Sequence, residues 1–234
     1  MSNVKINGNT YNGVDEIRLM KADDSGYAIY KEGQTEEGLT WEAVTINFSG
    51  VIPEDIDDPD VTTPQIGRLQ STKFGTIKLT GATKMAGGCP YSTFDNLLLP
   101  HVVAADNFIN YGTRDFVDVR RSFSSIKCSG VLDLGSFSSG INWGNTMFQN
   151  AQIGTLKLGP ITLTSNSMSS ATITNFVWNC AGNASNPVGV LTSATKITNL
   201  YVPAEYVATI SGKIDDGTLT KIDHVYSMAD WSDD

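Results

Sequence analysis

Asp115, Asp118 and Asp133 are the residues of this chain whose type and spacing come nearest to a catalytic set. Carboxylates held about 5–10 Å apart can hydrolyse a glycosidic bond, one as acid and the other as base or nucleophile. Asp118 and Asp133 reach that separation only if they point outward from neighbouring strands. A second chemistry would be a cysteine nucleophile beside a histidine, drawn from Cys89, Cys128 and Cys180 and from His101 and His224. A third would be calcium binding by the acidic run Pro53-Glu-Asp-Ile-Asp-Asp-Pro-Asp60. That run lacks an Asp-x-Asp-x-Asp-Gly loop and reads first as a solvated connector. The 3 cysteines and 2 histidines do not fall at zinc-binding spacings, so no metal is expected, and the thiols are expected to be buried and reduced. Gly87-Gly88 belongs to a turn and precedes no helix, so no phosphate cradle or other cofactor site is expected.

Whether these side chains meet depends on the elements that carry them, and those elements repeat. The phrase Ile153-Gly-Thr-Leu-Lys-Leu-Gly-Pro160 has seven relatives: Phe74-Gly-Thr-Ile-Lys-Leu, Phe94-Asp-Asn-Leu-Leu-Leu-Pro, Arg114-Asp-Phe-Val-Asp-Val, Ser129-Gly-Val-Leu-Asp-Leu-Gly, Ile173-Thr-Asn-Phe-Val-Trp, Ile197-Thr-Asn-Leu-Tyr-Val-Pro and Ile222-Asp-His-Val-Tyr. Aligned at the fourth position they give Ile77, Leu97, Val117, Leu132, Leu156, Phe176, Leu200 and Val225, in steps of 20, 20, 15, 24, 20, 24 and 25 residues. A strand recurring every 20–29 residues is the pattern of a leucine-rich-repeat solenoid. Side chains alternate along a strand, so each copy buries only the two residues of apolar-x-apolar, and the copies must stack to share a core. An antiparallel sandwich would repeat its strands about every 8–12 residues.

The fold class expected is therefore mainly β with little helix: a small N-terminal β module followed by an irregular, right-handed, leucine-rich-repeat-like solenoid. Residues 1–50 form the module, 51–69 an acidic linker, and 70–234 the solenoid with its C-terminal cap. Met85, Phe108, Phe137, Met147, Phe148, Leu163 and Met168, between the strands, are expected to turn inward and fill the core. Residues 179–195 are expected to be an exposed loop. Pro203 to Ile210 carries proline, an early glutamate and a one-sided apolar stripe, which predicts a short helix. The outward member of each phrase forms one column, and within it Lys78, Asp118, Asp133, Lys157, Tyr201 and Tyr226 are the candidate binding residues. Aromatics with polar tips among charges suit contact with a protein or a glycan.

Charge narrows the partners. The net charge of −9 lies in residues 1–62, which hold 13 acidic and 4 basic residues, while the rest holds 12 of each. Nucleic acid needs clustered lysine and arginine, so it is not an expected partner. No run approaches 18 apolar residues, so membrane insertion is not expected. The opening Met1-Ser-Asn-Val-Lys-Ile-Asn-Gly carries no apolar core of a secretory leader.

Met85-Ala-Gly-Gly-Cys-Pro-Tyr-Ser-Thr-Phe-Asp-Asn-Leu-Leu-Leu-Pro100, Met147-Phe-Gln-Asn-Ala-Gln-Ile-Gly-Thr-Leu-Lys-Leu-Gly159 and Ile197-Thr-Asn-Leu-Tyr-Val-Pro203 resemble BspA-like leucine-rich repeats over about residues 70–231. The chain departs from that pattern in the 15-residue step to Leu132 and in lacking an asparagine after most strands. Val4-Lys-Ile-Asn-Gly-Asn-Thr-Tyr-Asn-Gly-Val14 and Ala22-Asp-Asp-Ser-Gly-Tyr-Ala-Ile-Tyr30 resemble the opening of tailed-phage and prophage virion proteins. The two resemblances together imply a non-enzymatic virion structural or decoration protein, made in the host cytoplasm. The module would anchor it to capsid or tail. Its partners would be other virion proteins, itself, and a host surface protein or glycan. The alternatives are a bacterial cell-surface adhesion protein and a solenoid polysaccharide-degrading enzyme using Asp118 and Asp133.

Overall fold

Five copies of the phrase are entered through the same turn. The computed structural model describes residues 2–6, 9–14, 17–20, 27–30, 43–45, 56–57, 59, 64, 66–106, 108–110, 115–117, 122–140, 146–164, 166–183 and 187–232. Among them Ser71, Tyr91, Ser125, Asn150 and Ser170 hold a left-handed backbone, with φ between 56° and 62°. Each stands two residues before a strand of the longest sheet, and two residues after a buried apolar side chain: Leu69, Cys89, Phe123, Phe148 or Met168. The left-handed conformation costs about 1–2 kcal/mol for a residue with a Cβ. A turn-to-turn hydrogen bond offsets part of it. The N–H groups of Ser71, Tyr91, Ser125, Asn150 and Ser170 donate to the carbonyls of Pro90, Ser124, Gln149, Ser169 and Ser193, at 2.7–3.1 Å.

Near the N-terminus β1 (Ser2–Ile6) and β2 (Asn9–Val14) form an antiparallel pair. Strand β3 (Ile17–Met20) lies between β4 (Tyr27–Tyr30) and β5 (Ala43–Thr45), antiparallel to both. Then follow β6 (Ile56–Asp57), β7 (Lys73–Lys78), β8 (Lys84–Ala86), β9 (Thr93–Leu98), β10 (Ala104–Asp106), β11 (Phe108–Asn110), β12 (Asp115–Val117), β13 (Lys127–Leu134) and β14 (Ser139–Gly140). The last stretch holds β15 (Gln152–Leu158), β16 (Thr172–Trp178), α1 (Pro187–Leu191), β17 (Lys196–Val202), α2 (Ala204–Asp215) and β18 (Ile222–Ser227). The chain is mainly β, and its largest element is one parallel sheet ordered β6-β7-β9-β13-β15-β16-β17-β18. Spatial order is therefore chain order. A second parallel sheet, β8-β10-β14, is built from the connections between strands of the first.

Ile56, Ile77, Leu97, Leu132, Leu156, Phe176, Leu200 and Val225 are successive ladder partners. Val117 does not belong to this row. Strand β12 pairs instead with β11 as an antiparallel hairpin, inside the 35-residue connection from Leu97 to Leu132. The physical reason is the step of 15: a parallel crossover needs about a dozen residues beyond the strands themselves. Ile56 provides the eighth member, so the sheet begins within the acidic segment 51–69.

A further difference lies at β13. The phrase alignment puts Ser129 opposite Phe94 and Ile153, whereas the ladder puts Cys128 there and takes up the extra residue in a bulge before Val131. The bulge is held by the Asn96 side chain, whose Oδ1 accepts the Val131 N–H at 2.7 Å. A Cβ on Gly130 would come within 2.2 Å of that same oxygen, which is why glycine stands there.

The core runs as continuous rows behind the sheet. Phe74 stacks on Phe94 with ring centroids 4.6 Å apart, and Phe176 on Trp178 at 5.5 Å. Met85, Phe137, Met147, Phe148, Leu163 and Met168 turn inward and are buried; the side chain of Phe108 lies outside the described residues. The expected loop at 179–195 is more structured than its composition suggests. Pro187, Val190 and Leu191 of α1 are buried, and the Asn183 side chain clasps the backbone N–H and carbonyl of Leu163 at 2.8 and 2.7 Å. The expected helix is present as α2, running on to Asp215.

Leu156 is fully buried in the middle of its row while Lys157 beside it points outward. Leu156→Ala should cost about 2–5 kcal/mol of unfolding free energy, through lost burial and a residual cavity. Lys78→Ala, which removes an exposed ion pair with Asp57, should cost less than about 1 kcal/mol. Urea unfolding followed by circular dichroism measures both.

Candidate functional site

The outward residues of the long sheet fall into continuous rows because the ladder register is kept from strand to strand. One row reads Asp57, Lys78, Leu98, Asp133, Lys157, Val177, Tyr201, Tyr226. It holds five of the six candidate binding residues, Lys78, Asp133, Lys157, Tyr201 and Tyr226. Asp118 lies outside the described residues. The charges in this row pair with one another: Lys78 with Asp57 at 2.9 Å and Lys157 with Asp133 at 3.4 Å. At the C-terminal end Tyr201 and Tyr226 stack at 5.2 Å, and the Trp231 ring meets Tyr201 edge-on at 5.0 Å. His224 lies 6.2 Å from the Tyr226 ring.

The geometry bears on the two catalytic options. Ladder neighbours of Asp133 are Leu98 and Lys157, so β12 does not run beside it. The Asp133 carboxylate takes the Gly135 N–H at 2.9 Å as well as the Lys157 ammonium. His101 and His224 are exposed, whereas the three thiols are buried in the core, so the described residues bring no cysteine to a histidine. No cluster of three or more His, Cys, Asp or Glu that could hold a metal occurs among the described residues. No described helix is long and apolar enough to cross a membrane.

Two features of the face were missed by the apolar-x-apolar reading. The first is a polar ladder just before the buried leucine row. The Asn96 Nδ2 donates to Thr76 Oγ1 at 2.9 Å, Asn175 Nδ2 to Thr155 Oγ1 at 3.4 Å, and Asn199 Nδ2 to Asn175 Oδ1 at 2.9 Å. These bonds tie neighbouring strands through side chains, inside the strands rather than after them. The second is an open groove of about 740 Å³ that crosses β7, β9, β13, β15 and β16. Its walls are the residues on either side of each phrase's first apolar position: Lys73, Thr93, Lys127, Gln152 and Thr172 on one side, and Gly75, Asp95, Ser129, Gly154 and Thr174 on the other. Asp95 is held in place by Ser129, whose hydroxyl donates to it at 2.6 Å. The alignment that located the apolar rows would have located the polar ladder, had the third position of each phrase been read down the repeat.

Comparison with protein-family models, with curated proteins and with solved structures gives no match to this chain.

Burial sets the thiol chemistry. It raises the Cys128 thiol to about 12 and the Cys180 thiol to about 11, and pushes Cys89 higher still. All three are protonated near neutrality, and a raised folded-state value makes the stabilisation complete below the unfolded thiol value. Stability should hold through neutral pH and fall as pH climbs from about 9 toward the folded values near 11 to 12. In a thiol-reagent assay at neutral pH the folded chain should be almost inert, and all 3 thiols should react once it is unfolded.

Proposed function

We propose that this chain is a non-enzymatic structural and binding protein of a tailed-phage virion. It is a right-handed, leucine-rich-repeat-like solenoid displayed on a small N-terminal anchor module. The observation that supports the solenoid is the long parallel sheet, in which spatial order is chain order and like positions of each repeat stay in register. Parallel strands joined by crossovers wind right-handed in nearly all cases. Such a stack presents the same outward position of every copy as one continuous surface, which suits contact with an extended ligand.

The binding reading draws on the composition of that surface. Two stacked tyrosines with an edge-on tryptophan form an aromatic contact at one end, and hydroxyl, amide and charged groups line the remainder. Asp133 is held in that face by the Lys157 ammonium and the Gly135 N–H. The virion reading draws on the likeness of residues 4–30 to virion openings, and the anchor would dock on capsid or tail with copies of itself. The BspA-like character of residues 70–231 supports a second reading, a bacterial cell-surface adhesion protein with the same contact face.

Quantitative mass spectrometry of purified particles and of washed cell envelopes from the source separates them. Enrichment in particles at a fixed ratio to the major capsid protein is the expected result. Enrichment in envelopes with none in particles would overturn the virion reading in favour of the adhesin.

A further inference from the structure

We infer that the groove across β7, β9, β13, β15 and β16 takes a linear acidic polysaccharide, with Lys73 and Lys127 contacting its anionic groups. This rests on the reading of the outer face as a contact surface, and names the ligand class.

The first argument is spacing. Neighbouring strands repeat at about 4.8 Å, close to the rise of one pyranose unit in an extended chain. A glycan laid across the strands therefore meets an equivalent side chain at each sugar. Along one wall those side chains are Lys73, Thr93, Lys127, Gln152 and Thr172. All five are exposed, and all offer hydrogen-bond donors. Lys73 and Lys127 are separated by two strand steps, roughly 10 Å, which matches one anionic group per disaccharide.

The second argument is charge. Among the described residues no ion pair engages the ammonium groups of Lys73 or Lys127, in contrast to Lys78, Lys157, Lys196 and Lys213. The one carboxylate among the described residues of the groove, Asp95, is turned to the Ser129 hydroxyl. The acidic excess of the chain lies in residues 1–62, so residues 63–234, with 12 basic and 12 acidic side chains, do not repel an anionic polymer overall.

Other occupants fit the groove less well. Four of its five strands, β9, β13, β15 and β16, are paired on both sides within the sheet. Among the described residues β7 meets its outer neighbour at Ile77 and Lys78, so a peptide could join by strand addition only at the β7 end. Among the described residues no aromatic ring lies on the exposed walls, since Phe74 and Phe94 are buried beneath. A neutral glycan that relies on ring stacking is better served by Tyr201 and Tyr226.

The test is affinity electrophoresis of the full chain through gels containing hyaluronate, which carries one carboxylate per disaccharide, or polygalacturonate, which carries one per sugar, with dextran as a neutral polymer and polyglutamate as a polyanion without sugars. Wild-type protein should be retarded by at least one acidic polysaccharide, less so at high salt. Lys73→Glu/Lys127→Glu should weaken that retardation by on the order of tenfold, while the charge-matched Lys84→Glu/Lys221→Glu, away from the groove, leaves it unchanged. All four lysines are exposed, and unaltered circular dichroism establishes that the variants are folded. Equal retardation of the Lys73/Lys127 variant, equal affinity for dextran or polyglutamate, or no retardation in either acidic polymer would overturn the inference. Retardation kept in the Lys73/Lys127 variant and lost in Tyr201→Ala/Tyr226→Ala would overturn the groove assignment and leave the outer face as a contact surface.

Discussion

The backbone ladder between successive strands is the constraint on which the rest depends. Each strand of the long sheet turns only two or three side chains inward, such as Ile153, Leu156 and Leu158 of β15. A fully buried leucine contributes roughly 1.5–3 kcal/mol, whereas ordering each residue's backbone costs about 1–2 kcal/mol. A single strand with its turn therefore cannot fold alone. Only when its N–H and carbonyl groups pair with the strands on both sides does its apolar row become continuous with theirs. Gly154 marks how close that approach is: a Cβ there would lie 2.5 Å from the Ser129 carbonyl oxygen of the neighbouring strand. The turn-to-turn bonds at Ser71, Tyr91, Ser125, Asn150 and Ser170 extend the same coupling beyond the sheet.

Keeping register has a functional corollary. The inward rows must be apolar to fill the core, but the outward rows meet no such demand and are free to vary. They vary here in an ordered way. Charges pair along the row from Asp57 to Lys157, aromatics gather at β17 and β18, and a hydroxyl-rich groove with two lysines crosses the first five full-length strands. The polar ladder of Thr76, Asn96, Thr155, Asn175 and Asn199 lies between the two kinds of row. It satisfies side-chain amides between strands at mostly half-buried positions, and it contributes to uniqueness of register as well as to stability.

Much of this was legible in the sequence because apolar-x-apolar repeats are a direct image of the inward rows. Seven of the eight aligned positions, Ile77, Leu97, Leu132, Leu156, Phe176, Leu200 and Val225, are true ladder neighbours. Val117 carries the same local pattern yet pairs within its own hairpin, because the pattern reports alternation and not partner. Ile56 was hidden by an acidic, proline-flanked context that resembles a linker. The bulge at Gly130 was hidden too, since one extra residue leaves apolar spacing downstream intact. Of the candidate site, the column containing Lys78, Asp133, Lys157, Tyr201 and Tyr226 followed from alternation. The groove did not, because its walls are polar residues whose alignment becomes meaningful only once the register is known.

The central claim is that strands stack in chain order with Leu98 beside Asp133, across the whole hairpin insertion. It is tested most directly by paired cysteine substitution in the folded chain. Ladder neighbours stand about 5 Å apart, within the range of about 4.4–6.8 Å that a disulfide spans between Cα atoms. The native thiols are buried, so an introduced pair reacts largely with itself. The account predicts that L98C/D133C oxidises readily to a disulfide in the native protein and slowly in urea. A native L98C/D133C that stays reduced, while L98C/D118C closes instead, would contradict the stacking order.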